Sequence, residues 1–212
     1  MLLETALQQR SWVPMLSLVM LTAPLMNASD VILHPDGFGE HSYAAWKAQV
    51  GLTDTIGGKN QALYFQKMTA TTAFAAGVAT FQGIEGTPTN VLTGLEFWIA
   101  TSDGSHCGAG APRFNVRVKP TAGGPSQTFF FGCAAMAPGA TQTAPSGKIY
   151  QQRTVAAPAL TVLPAGTITS LSIVFDEGDD VGSGFAYLDN ITVTINGTPM
   201  IWTSASDNGG QF

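Results

Sequence analysis

Charge is scarce in this chain. Only 11% of its 212 residues are Asp, Glu, Lys or Arg, and the basic ones form no cluster. With a net charge of −5 it lacks the cationic footprint that neutralising nucleic-acid phosphates requires. Histidine is rarer still, and His34, His41 and His106 are too scattered for a metal triad by spacing. Hydrolytic signatures are missing: there is no G-x-S-x-G, no H-E-x-x-H and no C-x-x-C. Glu85 and Glu96 are the carboxylates one would pair for glycoside hydrolysis, yet nothing in the sequence sets their separation. A glycan-active hydrolase or lyase is therefore the third-ranked reading. No long stretch carries a helical period, and no segment repeats.

Long hydrophobic runs are also nearly absent. The exception, "SWVPMLSLVMLTAPLM", follows Arg10 and precedes the polar "NASD". It is about 15 residues long and broken by Pro14 and Pro24, too short for a comfortable bilayer span. Residues 1–28 read as a secretory signal cleaved after Ala28, against the rival reading of a retained membrane anchor. The expected location is secreted or cell-surface, with no stable membrane span after processing. Cysteine use agrees. Cys107 and Cys133 are the only two, and a lone pair in an exported chain is usually joined. The alternative is a nucleophilic Cys107 beside His106 in "DGSHCGAGAPRF".

What the chain has in abundance is turn residues, 24 Gly and 12 Pro, between apolar segments that make up 45% of it. After residue 30 the dominant pattern is alternation of period two, the signature of half-buried strands. The segments "QALYFQKM" (61–68), "TAFAAGVATFQG" (72–83), "LTGLEFWIAT" (92–101), "RFNVRVKP" (113–120), "QTFFFGC" (127–133), "KIYQQRTV" (148–155), "ITSLSIVFD" (168–176) and "AYLDNITVTI" (186–195) all fit it. "SYAAWKAQVG" fits a short helix or another strand. The expected fold is all-β: a single-domain antiparallel β-sandwich (jelly roll) over residues 29–197, with 198–212 a polar C-terminal tail.

Faces can be assigned within these segments. Leu95, Phe97 and Ile99 share one face of their strand, leaving Glu96 and Trp98 on the other. Phe114, Val116 and Val118 share a face, leaving Arg113, Asn115 and Arg117 outward. The turn "PTAGGPSQ" joins this strand to "QTFFFGC" as a hairpin. That pairing sends Phe129 and Phe131 to the core, leaves Phe130 outward near Asn115, and brings Cys133 close to Pro112 and so to Cys107. One residue resists the pattern. In "FAYLDNITVTING", Asp189 falls on the same side as Ile191, Val193 and Ile195, although an unpaired buried carboxylate is costly.

Five segments, "DGFGEHSYAAWKA", "GGKNQALYFQK", "LTGLEFWIATS", "PAGTITSLSIVFDEG" and "FAYLDNITV", in this order resemble jelly-roll modules of the galactose-binding-like superfamily. The likeness is to the cellulose- and xylan-binding modules of bacterial glycoside hydrolases, and it spans Asp36 to Ile195. The resemblance implies a structural calcium held by Asp189 of the terminal strand with groups of the N-terminal segment, Asp36 and Glu40. The other reading of Asp189 is a strand cap or bulge in which its carboxylate accepts backbone N–H bonds. The acidic run "DEGDDVGSG" is either a second cation site or a solvated loop. The resemblance also implies a non-catalytic, lectin-like function on a polysaccharide or cell-surface glycan. Trp98 and Phe130 would stack sugar rings, while Glu96, Arg113, Asn115 and Arg117 bond hydroxyls; otherwise Trp98 is satellite core. The alternative is a secreted structural protein that self-associates through sheet faces or edges.

Overall fold

Two antiparallel sheets face each other across a core of interdigitated aliphatic and aromatic side chains. The structure, a computed structural model, describes residues 31–39, 41–54, 59–68, 75–108, 110–176 and 183–205. Twelve strands run in the order β1 (Ile32–Phe38), β2 (Tyr43–Lys47), β3 (Ala62–Lys67), β4 (Ala76–Gln82), β5 (Leu92–Ala100), β6 (Arg113–Pro120), β7 (Gln127–Gly132), β8 (Ala137–Thr143), β9 (Ile149–Val155), β10 (Gly166–Phe175), β11 (Gly184–Ile195) and β12 (Thr198–Trp202). One short helix, α1 (Ala157–Leu160), follows β9. The five-stranded sheet has the order β1-β4-β10-β6-β7. The seven-stranded sheet has the order β2-β3-β11-β5-β9-β8, with β12 paired to β11. The expected all-β antiparallel sandwich is the fold observed.

The alternation read from sequence explains the packing. Leu95, Phe97 and Ile99 of β5 meet Phe114, Val116 and Val118 of β6, all buried, with Phe97 and Phe114 5.5 Å apart. The β6–β7 hairpin pairs Asn115 with Phe130 and Phe114 with Phe131. Phe131 is accordingly buried and Phe130 is 62% exposed. The Cys133 N–H donates to the Pro112 carbonyl (2.9 Å), and Cys107 and Cys133 form a disulfide with Cα atoms 5.3 Å apart. The bridge closes a sequence separation of 26 and contributes on the order of 3 kcal/mol.

One open alternative is settled and three expectations change. Residues 43–47 are the strand, not the short helix, with Ala44 facing the core. The segment before it is β1, an edge strand, the place in a sheet where a proline such as Pro35 is tolerated. "APGATQT" (137–143) is the edge strand β8; its Ala, Pro and Gly content hid it. The tail expected from residue 198 opens instead with β12. Asn196 and Gly197 both adopt positive φ (52° and 75°), the geometry of a two-residue hairpin turn, and they fold 198–202 back on β11. Trp202 is buried by this return and meets Phe81 edge-on at 5.1 Å. The signal expected at 1–28 lies outside the described residues.

Trp202→Ala is expected to lower stability by about 3–5 kcal/mol in a urea titration, because a large core ring is removed. A loss below about 1 kcal/mol would mean that residues 198–202 are no part of the cooperative fold.

Candidate functional site

On paired antiparallel strands, directly opposite residues share a face. The outer face of the larger sheet can therefore be read in rows. Tyr43, Gln66 and Phe185 form the first, through β2, β3 and β11. Ala45, Tyr64 and Tyr187 form the second. Lys47 and Ala62 begin the third, which continues along β11, β5 and β9 with Asp189, Trp98 and Gln152. The inner faces of the same strands go to the core, as Leu63, Phe65, Ala186 and Leu188 do.

Asp189 shows how this face is organised. The register between β11 and β5 shifts between Asp189 and Thr192, and Asn190 has φ +42°. This bulge changes the parity of the strand: Ala186 and Leu188 point inward before it, Ile191, Val193 and Ile195 after it. Asp189 stays on the outer face with Tyr187, where it is nevertheless fully buried. Its Oδ2 accepts the Leu52 N–H and its Oδ1 the Asn190 N–H, both at 2.6 Å. The segment 49–54 thus lies as a roof over the sheet. Leu52 packs with Ala62, Ala100, Ala144 and Tyr150, and the Tyr150 hydroxyl donates to the Val50 carbonyl (2.9 Å). Gly51 is required there, since a Cβ would stand 2.0 Å from the Gln61 carbonyl oxygen.

The calcium expected from Asp189, Asp36 and Glu40 finds no fit in the residues described. Asp36 is on β1, exposed on the outer face of the other sheet, with the core between it and Asp189. Both Asp189 oxygens are already engaged by amide N–H groups. Glu40 lies outside the described residues, as does most of the acidic run. Among the described residues, no three His, Cys, Asp or Glu side chains gather as a metal site.

The sugar-binding face expected from Trp98, Glu96, Arg113, Asn115, Arg117 and Phe130 is not assembled either. Glu96 and Trp98 are on the larger sheet, the other four on the smaller, so the two sets sit on opposite outsides of the sandwich. Single-strand reading fixes the face of each residue within its own strand, and sheet membership decides whether two such faces coincide. Trp98 is half-buried against the Leu52 cluster, the satellite-core alternative. Glu96 Oε2 accepts the Thr154 hydroxyl (3.3 Å). Arg113 is engaged by a two-point ion pair with Asp176, by donation to Asn115 Oδ1 (2.9 Å), and by lying over the Phe130 ring (5.3 Å).

Next to the roof, and touching its cluster through Tyr187, the outer face of the larger sheet holds a set of aromatic rings. Tyr64 and Tyr187 have ring centroids 4.8 Å apart, with Tyr43 5.9 Å from Tyr64 and Phe185 5.9 Å from Tyr187. Tyr64 is buried, Phe185 and Tyr187 half-buried, and Tyr43 exposed. At the rim, Lys148 Nζ donates to Asp103 Oδ2 (2.7 Å) and stands 4.8 Å from the Tyr187 ring. Asp103 Oδ1 also accepts the Ser105 N–H and hydroxyl. Together Tyr64, Asp103, Lys148, Phe185 and Tyr187 line a shallow depression of about 220 Å³. Burial alone would raise the Asp103 pKa, but the bonds from Lys148 and Ser105 outweigh it and hold the carboxyl below its ordinary value. Burial, then the phenols of Tyr187 and Tyr43, push Tyr64 up to about 12, so it stays a neutral donor to Gln66 Oε1 (2.9 Å). A larger hollow of about 480 Å³ lies between β1 and β2, but its one aromatic, Trp46, has its indole N–H buried and unpartnered rather than open to the hollow. The grouping of partly exposed rings with polar rim groups, not the volume, places the candidate site at the tyrosines. Sequence reading missed them, although Tyr64 between the inward Leu63 and Phe65 already had outward parity.

Asp189→Ala is expected to destabilise by about 1–3 kcal/mol for each amide left without its acceptor, equally in chelator and in excess calcium. Calcium-dependent loss would return Asp189 to a metal site. The depressed Asp103 pKa contributes stability that is complete above the unfolded value of about 3.9 and is lost as pH falls through the lower folded value. Denaturant midpoints of wild type and Asp103→Asn should therefore converge on acidification toward and below that range.

No family model matches the chain, and no curated protein does. Among solved structures, one that it resembles is described as "Structural basis for the promiscuous specificity of the carbohydrate-binding modules from the beta-sandwich super family". The identity is 12% and the TM-score 0.38, over 78% of this chain and 57% of the other. The chain thus spans little more than half of that structure's length, and the fold assignment stands on the two sheets themselves.

Proposed function

We propose that this protein binds carbohydrate without cleaving it, on the outer face of the larger sheet. The observation that carries the reading is a contiguous set of rings, Tyr43, Phe185 and Tyr187, left partly open to solvent on a rigid sheet and edged by polar groups. Aromatic faces pack the apolar C–H face of a pyranose, and a few placed polar groups fix its orientation. Here those groups are the Lys148–Asp103 pair, Ser105 and Gln66. Asp103 is held ionised by its partners, which suits it to accept hydroxyl hydrogens and not to act as an acid. The disulfide supports an extracellular setting. A shallow, open site desolvates little of its ligand, so affinity is modest.

A second reading, self-association, is favoured by one observation. β8 is an edge strand with all seven residues exposed and no charge among them. Pro138 and the register shift between Pro138 and Thr141 oppose edge pairing. Glycan binding is therefore preferred.

Retention on polysaccharide affinity gels tests the first reading. Tyr187→Ala and Tyr43→Ala should each lose roughly tenfold or more in affinity. Trp98→Ala should lower the melting temperature and leave retention unchanged. A wild type that binds nothing on a broad glycan array, and whose sedimentation coefficient rises with concentration, would transfer the function to β8.

A further inference from the structure

We infer that the ligand of the tyrosine site is an acidic glycan, whose carboxylate or sulfate is seated on Lys47. This rests on the carbohydrate reading above and names its substrate class.

Lys47 ends β2 on the same outer face as Tyr43. Its Nζ stands 3.3 Å above the Tyr64 centroid and 6.0 Å from that of Tyr187. Lys47 as a residue is half-buried beside these rings, and partial desolvation lowers its pKa. It forms no ion pair with a described carboxylate, unlike Arg113 with Asp176 and Lys148 with Asp103. A ring face supplies attraction but no strong hydrogen-bond acceptor, so Lys47 keeps donor capacity that the two rings do not use.

The charge balance is the second observation. Two ammonium groups, Lys47 and Lys148, flank the Tyr187 ring, and one carboxylate, Asp103, faces them. Lys148 is matched by Asp103 at 2.7 Å, which leaves one positive charge on the platform in a chain of net charge −5. Of the other carboxylates on this face, Asp189 is turned under the roof with both oxygens on amide N–H groups, and Glu96 accepts the Thr154 hydroxyl. A protein poor in charge and acidic overall has thus set a lysine with no described carboxylate partner among aromatic rings. A uronate or sulfated sugar can stack on Tyr187 and Tyr43 while its anion takes charge-assisted bonds from Lys47. A neutral sugar would leave Lys47 partly desolvated with nothing in return.

The test is a binding series on the folded protein with uronate-containing, sulfated and neutral glycans, at low and moderate salt. Wild type should retain the acidic glycans at least tenfold more tightly than neutral ones of the same linkage, with affinity falling as salt rises. Lys47→Met should remove that preference while keeping the melting temperature. Asp103→Asn should raise acidic-glycan affinity several-fold, because it frees Lys148 and keeps the acceptor for Ser105; a gain cannot arise from misfolding. The uronate and sulfate arms identify which anion is taken. If neutral glycans bind equally well, with Tyr187→Ala lost and Lys47→Met unaffected, the acidic class is overturned and the carbohydrate site stands. If no glycan binds, or if binding survives Tyr187→Ala, the carbohydrate reading of this site fails first.

Discussion

A carboxylate out of water must find donors, and in this protein Asp189 finds two backbone amides. That requirement organises the larger sheet. Meeting it bends β11 into a bulge at Asn190, and the bulge changes which side of the strand faces the core. It also tethers Leu52, and with it the roof segment, to the sheet's outer surface. β11 pairs with β3 up to Leu188 and with β12 from Ile191, so the Leu52 amide enters where neither neighbour continues. A single side chain satisfies the backbone at the seam between two partner strands.

The roof has a second effect, on what remains uncovered. It buries Tyr150, packs against Trp98 and one side of Tyr187, and leaves Tyr43 and Phe185 outside its cluster. The site is thus the less roofed part of one aromatic surface that runs across several strands. Its rings are held from below by sheet pairing and from the side by one another, so little ordering is left for a ligand to impose. Asp103 follows β5 and Lys148 precedes β9, at the same end of the β5–β9 ladder, which fixes the rim relative to the platform.

Much of this was readable from residues alone, within limits that have a physical reason. Alternation gave the faces of β5, β6 and β7, and the hairpin register predicted Cys133 beside Pro112 and the disulfide. Local signals failed where pairing, and not composition, makes a strand, as for β8. At β12 a signal existed and was passed over: Asn196–Gly197 marks a tight hairpin. The binding face failed for a different reason. Trp98 and Phe130 both point outward, yet outward from different sheets, and sheet membership is a long-range property that single-strand periodicity does not carry. For Asp189 the alternation itself was misleading, since a bulge resets it and the residue only looked inward.

Strand order has a consequence for when this chain can fold. In the larger sheet β3 and β5 are joined only through β11, and in the smaller β4 and β6 only through β10. Both joining strands come near the end of the sequence. Chain emerging from a ribosome therefore cannot join the two parts of the smaller sheet before β10 is made, nor those of the larger before β11, and long-range pairing of this kind is slow in any case. A protein so ordered completes its sandwich only near the end of its synthesis. That delay is a hazard for a chain kept among unfolded neighbours, and an advantage for one that must be threaded through a narrow pore before its last strands lock it shut.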